Sequence, residues 1–348
     1  MKRLLLVTVV LLVVAKLPVL ADTAKVEVAV LDDATGLPIE GVRVTGYFTV
    51  DIGWRAWTES SVPNKAEALT DKRGLCSVSG KTNCGKVGCW VENPPNGYYC
   101  PPRGWGHTYT NKNLFGVWQP DNLVATIRLQ RVEHPIPLCV KNVRPKVAPG
   151  TFDGTNAVLR YDLVLGDWLP PEGKGERADI EIRTKLTIDE VLQVGKYKDW
   201  KKTFFTFSNT VRFPGEGNGC CAEMTSPTLG IKLRVAPEDG YGNMIGMRQG
   251  TRKTMNGPNA YAKKFTDSDP NRCYYFRIRS RFDDKGKLVE AYYGKVYGDF
   301  NFHGHWSCGY QGVDFLYYLN PKSLDRNLEW DRKTNLCPTA GKHESQQP

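Results

Sequence analysis

Single alternation of apolar and polar residues dominates this chain. Val26, Val28 and Val30 share one side of an extended segment at 22–30, with Lys25, Glu27 and Ala29 on the other. That is the period-two pattern of a half-buried strand. Thr35-Gly36-Leu37-Pro38 reverses the chain, 41–45 begins a second strand, and the turn at 70–74 leads into a third at 75–78. At 122–132, Leu123, Ala125, Ile127 and Leu129 fall on one face. Further strands are predicted at 157–165, 178–186, 203–213, 231–236 and 313–319. The clearest unit is a hairpin. Tyr274, Phe276, Ile278 and Phe282 alternate with Tyr275, Arg277, Arg279 and Arg281, one face apolar and the other basic, before a turn at 283–287 and a return at 288–297. One short helix is expected, opened by the capping box Thr187-Ile188-Asp189-Glu190 and running toward Lys198.

The first 21 residues differ from the rest. A basic Met1-Lys2-Arg3 start, the apolar run 4–15 and Val19-Leu20-Ala21 read as a secretory signal peptide, too short to span a bilayer comfortably. Its removal takes away Lys2, Arg3 and Lys16, lowering the net charge from +10 to +7. The expected location is therefore secreted or periplasmic, with no membrane span and no lipid anchor, and a mature charge that attracts anionic surfaces. That address argues against a nucleic-acid partner. No cofactor is implied.

Strand, Thr-Gly-x-Pro turn, Gly-Val-x-Val strand and Thr-Asp-x-x-Gly turn, in that order over 31–74, resemble the carboxypeptidase regulatory-like and transthyretin-like modules, which are immunoglobulin-like β-sandwiches. The resemblance covers 22–132 and implies a seven-stranded sandwich acting as a spacer or adhesive unit. An insert at 81–118, rich in Gly, Pro, Cys and aromatics, reads as a disulfide-stapled surface loop. Closely spaced prolines at 133–138 read as a stiff linker. A second β-sandwich is expected over 139–340 and a polar tail over 341–348. The fold class is thus all-β: an immunoglobulin-like or transthyretin-like sandwich followed by a larger, disulfide-bonded one.

Ten cysteines follow the leader: Cys76, Cys84, Cys89, Cys100, Cys139, Cys220, Cys221, Cys273, Cys308 and Cys337. An even count in an oxidising compartment reads first as disulfides, four cysteines in the first part and six in the second. Neighbouring Cys220 and Cys221 point to opposite faces of an extended chain and should take different partners.

Chemistry is sparse. No histidine is followed three residues later by Glu, which excludes the zinc peptidase that such a sandwich can accompany. His303 and His305 share one strand face and could chelate a metal. Asp179 with Glu181, and Glu238 with Asp239, are the carboxylates available to a polysaccharide hydrolase. Exposed aromatics on a β scaffold stack on sugar faces, and Trp54, Trp57, Trp90, Trp105 and Trp118 are the candidates, with Arg277, Arg279 and Arg281 as a basic face. The expectation is a non-catalytic binding or structural protein with a glycan or cell-envelope polymer as partner. A hydrolase and a His303/His305 metal site are the alternatives.

Overall fold

The period-two pattern of the first segment becomes β1 (Thr23–Asp32), whose burial alternates with Val26, Val28 and Val30 inside. The computed structural model describes residues 23–55, 58–99, 104–113, 116–144, 158–193, 201–224, 233–254, 262–269, 271–305 and 310–340. The leader at 1–21, the tail at 341–348, Trp57, Cys100 and Cys308 lie outside them. Among the described residues every regular element is a strand, and no helix is long and apolar enough to cross a membrane. The chain divides into two compact units, the first ending at Val132 and the second starting at Glu133.

In the first unit, β1 is followed by β2 (Arg43–Arg55), β3 (Thr58–Leu69), β4 (Leu75–Lys81), β5 (Lys86–Trp90), β6 (Trp105–Thr108), β7 (Asn111–Lys112), β8 (Trp118–Gln119) and β9 (Val124–Leu129). One sheet has the order β4-β1-β9, the other β3-β2-β5-β6, and β7 pairs with β8 alone. Strand β1 runs antiparallel to β4 and parallel to β9, from Glu27 beside Val124 to Asp32 beside Leu129. The β1 valines, Val78, Ala125, Ile127 and Leu129 pack against Val44, Phe48, Val87 and Cys89, closing a sandwich of three and four strands. The insert at 81–118 is therefore not a surface loop. It supplies β5 and β6 to a core sheet, because Val87 and Cys89 are apolar at alternate positions and belong inside.

Buried Asp32 ends β1 and ties three segments together. Its carboxylate accepts from the Thr35 backbone N–H at 2.8 Å, Tyr98 Oη at 2.9 Å and Arg131 Nε at 2.5 Å. Burial alone would raise this carboxyl, but the hydrogen bonds from Thr35, Arg131 and Tyr98 prevail and hold it well below the usual range.

The second unit comprises β10 (Ile136–Val143), β11 (Val158–Asp162), β12 (Asp167–Trp168), β13 (Ile180–Gln193), β14 (Lys201–Arg212), β15 (Gly219–Met224), β16 (Met244–Lys253), β17 (Ala262–Thr266), β18 (Arg272–Phe282), β19 (Leu288–His305), β20 (Tyr310–Leu319) and β21 (Trp330–Asn335). Two six-stranded sheets, β15-β18-β19-β20-β10-β21 and β12-β11-β13-β14-β16-β17, enclose the larger core. Phe276, Ile278, Phe300, Phe315 and Tyr317 from one sheet meet Tyr161, Ile180, Ile182 and Val211 from the other.

Several expectations are corrected here. The capping box lies inside strand β13, which pairs with β14 along most of its length and bulges between Ile188 and Glu190. Cross-strand pairing of a run holding Thr187, Ile188 and Val191 outweighs a local helix-start signal. The linker at 133–138 is instead part of the second unit. Glu329 accepts from the backbone N–H of Glu133 at 2.8 Å and of His134 at 2.6 Å, and β10 starts at Ile136. Residues 233–236 carry one isolated bridge, Val235 to Asn327, rather than a strand. Finally, β18 is covered on both faces. Phe276 and Ile278 face the main core as expected, while Cys273 and Tyr275 on the opposite face pack under Leu233, Ala236 and Leu328.

Candidate binding cleft

At one end of the larger sandwich the two sheets leave a cleft of about 630 Å³, a size suited to a small ligand or a few sugar rings. Phe205 and Phe207 of β14, Gln249, Gly250 and Thr251 of β16, Lys264, Phe265 and Thr266 of β17, and Phe302 and His303 of β19 line it. Adjacency in the order β14-β16-β17 brings these otherwise distant residues together. Phe205 and Phe207 meet edge to face at 5.5 Å. Gln249 spans the sheets, its Nε2 donating to the Phe302 carbonyl at 3.0 Å. Thr251 Oγ1 donates to the Thr203 carbonyl at 3.0 Å. Gly250 is required for this closeness, since a Cβ there would stand 2.0 Å from the Phe205 carbonyl oxygen. The wall is thus aromatic and held rigidly, with a polar and basic rim. Arg252 lies over the Phe265 ring at 5.8 Å, beside exposed Lys263 and Lys264.

His303 sits at this rim and is the one residue of the cleft that the sequence singles out. Its Nε2 is paired with Asp314, whose other oxygen accepts from Asn301 at 3.4 Å. The imidazole is engaged by a carboxylate, the His305 side chain lies outside the described residues, and among those residues no group of three or more His, Cys, Asp or Glu is disposed to hold a metal ion. Three of the four carboxylates named for hydrolysis are held by arginines. Asp179 is bound by Arg279. Glu181 is surrounded by Arg160 at 3.2 Å, Arg183 at 3.7 Å and Arg212 at 3.9 Å. Glu238 pairs with Arg326 at 2.9 Å.

The basic face of β18 is dismantled by the fold. Arg279 donates to Asp162 at 2.7 Å and to Asp179 at 2.9 Å inside the unit. Burial raises the Asp179 carboxyl, and Arg279 offsets part of that rise. Arg277 donates to the Gly217 carbonyl at 2.7 Å and stacks over Tyr241 at 4.7 Å. Only Arg281 of the three is exposed, paired with Glu290 at 3.0 Å. A bulge between Ile278 and Arg281 breaks the alternation that the sequence implies.

The tryptophans also separate. Trp118 is buried, with its Nε1 donating to the Thr82 carbonyl at 3.1 Å, and belongs to the core. Trp105 is half-buried, stacked on His107 at 5.9 Å. Trp90 is 38% exposed and lies against Gly88, where an added Cβ would come within 2.1 Å of its ring, while Tyr47 meets it edge-on at 4.9 Å. The Trp54 side chain and all of Trp57 lie outside the described residues.

No disulfide joins any two of the eight described cysteines. Cys220 belongs to the main core and Cys221 to the cluster on the other side of its sheet, as their adjacency implies.

No family model matches the chain, and no curated protein matches it. Among solved structures the chain is similar to a streptococcal ancillary pilin, at 14% identity over 56% of this chain and 55% of that one, with a TM-score of 0.22. It is also similar to the shaft pilin spaA of Lactobacillus rhamnosus GG, at 13% identity over 56% of this chain and 89% of that one, with a TM-score of 0.23. BcpA, the major pilin subunit of Bacillus cereus, matches at 10% identity over 85% of this chain and 95% of that one, with a TM-score of 0.23. The first match spans 55%, about half, of the ancillary pilin's length, and TM-scores of this size fall short of a shared fold.

Proposed function

We propose that this chain is an extracytoplasmic, non-catalytic binding protein that holds an acidic glycan in the cleft of its second sandwich, with the first sandwich as a spacer. The observation that carries the reading is the cleft wall itself. Half-buried Phe205 and Phe265 offer ring surface to the apolar side of a sugar, with buried Phe207 and Phe302 packed behind them, and Lys264 stands beside them for its acid group. Gln249, Thr251 and Thr266 supply the sparse polar contacts that orient a ligand in an otherwise apolar site. The described lining includes no carboxylate, and Asp179, Glu181 and Glu238, considered for hydrolysis, are held by arginines elsewhere. The leader supports the extracytoplasmic address.

The test is retention on immobilised acidic and neutral polysaccharides, read alongside released reducing ends. Retention on the acidic material alone, about tenfold weaker in Phe265→Ala and in Lys264→Ala, or roughly 1.4 kcal/mol each, is the expected result. Sugar release abolished by a carboxylate substitution would establish the hydrolase instead. Retention unchanged in both variants would remove the cleft from the reading.

A further inference from the structure

We infer that Cys139 and Cys337 are disulfide partners, and that their bond ties the first strand of the second unit to the segment just beyond its last. Three observations converge on the pair. Both residues are buried in the main core, at 3% and 6% exposure, and each thiol's ionisation is shifted first of all by the other. The backbone holds them in step. Leu336 N–H donates to the Leu138 carbonyl at 2.9 Å. Asn335 accepts from Val140 N–H and from Cys337 N–H, both at 2.9 Å, and donates to the Val140 carbonyl at 2.7 Å. Leu138 stands beside Asn335 in the parallel register, which sets Cys139 and Cys337 on adjacent chains one position apart along them, and a disulfide spans about 4.4–6.8 Å between Cα atoms. Third, a cavity of about 290 Å³ lined by Lys141, Gly166 and Thr339 lies alongside, and Gly166 backs directly onto Cys337 Sγ. A small thiol reagent could enter there.

The environment also selects the order of events. The hydrogen bond from Cys139 lowers the Cys337 thiol to about 6, against the cost of burial, with help from Thr339 and the Lys141 charge, while Cys139 is raised. Cys337 is thus the thiolate that attacks a small-molecule disulfide oxidant, breaking its S–S bond, forming a mixed disulfide and releasing one thiolate. Cys139 then loses its proton and attacks the Cys337 sulfur, expelling the second thiolate. Two protein thiols are oxidised, two electrons pass to the oxidant, and its two halves leave as thiols once protonated. The bond would form in the oxidising compartment invoked above, but the purified chain tests it without reference to address or ligand.

Folded, reduced full-length protein is incubated with excess oxidised glutathione, its free thiols are alkylated, and it is digested without reduction. A linked peptide pair carrying Cys139 and Cys337, which disappears on reduction, is the expected product. In Cys139→Ala, Cys337 should instead become available to alkylation or carry glutathione. Both cysteines alkylated in the oxidised parent protein, or either found linked to Cys220, Cys221 or Cys273, would overturn the assignment. Circular dichroism before digestion confirms that the parent chain was folded when oxidised, so the mapping does not depend on a variant that folds.

Discussion

Arg279 holds Asp179 with its Nε 2.9 Å from Oδ1, from a backbone position with a φ of 53°, in the left-handed region that a residue with a Cβ seldom takes. The same guanidinium reaches Asp162 at 2.7 Å, so one cation separates two carboxylates that are almost fully buried. Removing it leaves two neighbouring buried carboxylates with only backbone N–H donors to offset their charge. Arg279→Ala is expected to cost about 3–5 kcal/mol in urea unfolding. Arg279→Lys should recover little, because a single ammonium cannot reproduce the forked contacts. A parent-like midpoint in Arg279→Ala would show that the pair is dispensable.

Lys295 makes stability depend on pH. It is 2% exposed, donates to the Leu233 carbonyl at 3.2 Å and lies 4.9 Å over the Tyr318 ring. Burial lowers its ammonium from 10.5 to about 7. Between those values the unfolded chain binds one proton more than the folded one, so this group's contribution to stability rises with pH, by about 1.4 kcal/mol per unit, and is lost as pH falls through 7. Comparing denaturation from neutral to alkaline pH, Lys295→Met should flatten that rise. An equal slope in both proteins would mean the lysine keeps its charge inside.

Gly250→Ala tests the rigidity of the cleft. A Cβ placed 2.0 Å from the Phe205 carbonyl oxygen cannot be absorbed by rotating a side chain, so β14 and β16 must part. A loss of about 1–3 kcal/mol is expected, together with loss of retention on acidic glycan. Full retention with unchanged stability would mean the strands part there at no cost.

Two tryptophans should respond differently to the same change. Trp118→Ala removes a buried ring and its hydrogen bond, and is expected to cost about 3–5 kcal/mol. Trp90→Ala, with 38% of its surface already exposed, should cost less than half of that. Equal thermal shifts would show that Trp90 is as much a core residue as Trp118.

What could be read from sequence was whatever depends on a residue's nearest neighbours along the chain. Val26, Val28 and Val30 announce the buried face of β1, and Phe276 and Ile278 that of β18, because alternation is a local property. The basic face of β18 failed for a non-local reason. Tyr275 is buried by Leu233, Ala236 and Leu328, which lie tens of residues away in both directions, and a bulge turns Arg279 toward Asp162 and Asp179. The cleft was equally hidden. Phe205, Gln249, Phe265 and Phe302 come from four strands and meet only through the order in which the sheets pair. The paired rings in Phe204-Phe205-Thr206-Phe207 and the basic-aromatic Lys263-Lys264-Phe265 were the local traces of it.

The parallel pairing of β1 with β9 has a mechanical meaning. These are the first and last strands of their unit, hydrogen-bonded in register from Glu27 beside Val124 to Asp32 beside Leu129. Tension drawn through the two ends of the unit pulls these strands lengthwise past each other. Every bond between them then stands across the force at once and must yield together, where an antiparallel end pair would unzip one bond at a time. The second unit repeats the device, with β10 parallel to β21, Ile136 beside Trp330 and Leu138 beside Asn335. Resistance to stretching follows the height of the unfolding barrier rather than the equilibrium balance. Stretched as a single molecule with its thiols reduced, the chain should therefore extend in two abrupt, high-force steps, one for each pair of terminal strands sheared apart, and a Cys139–Cys337 bond should remove the second step.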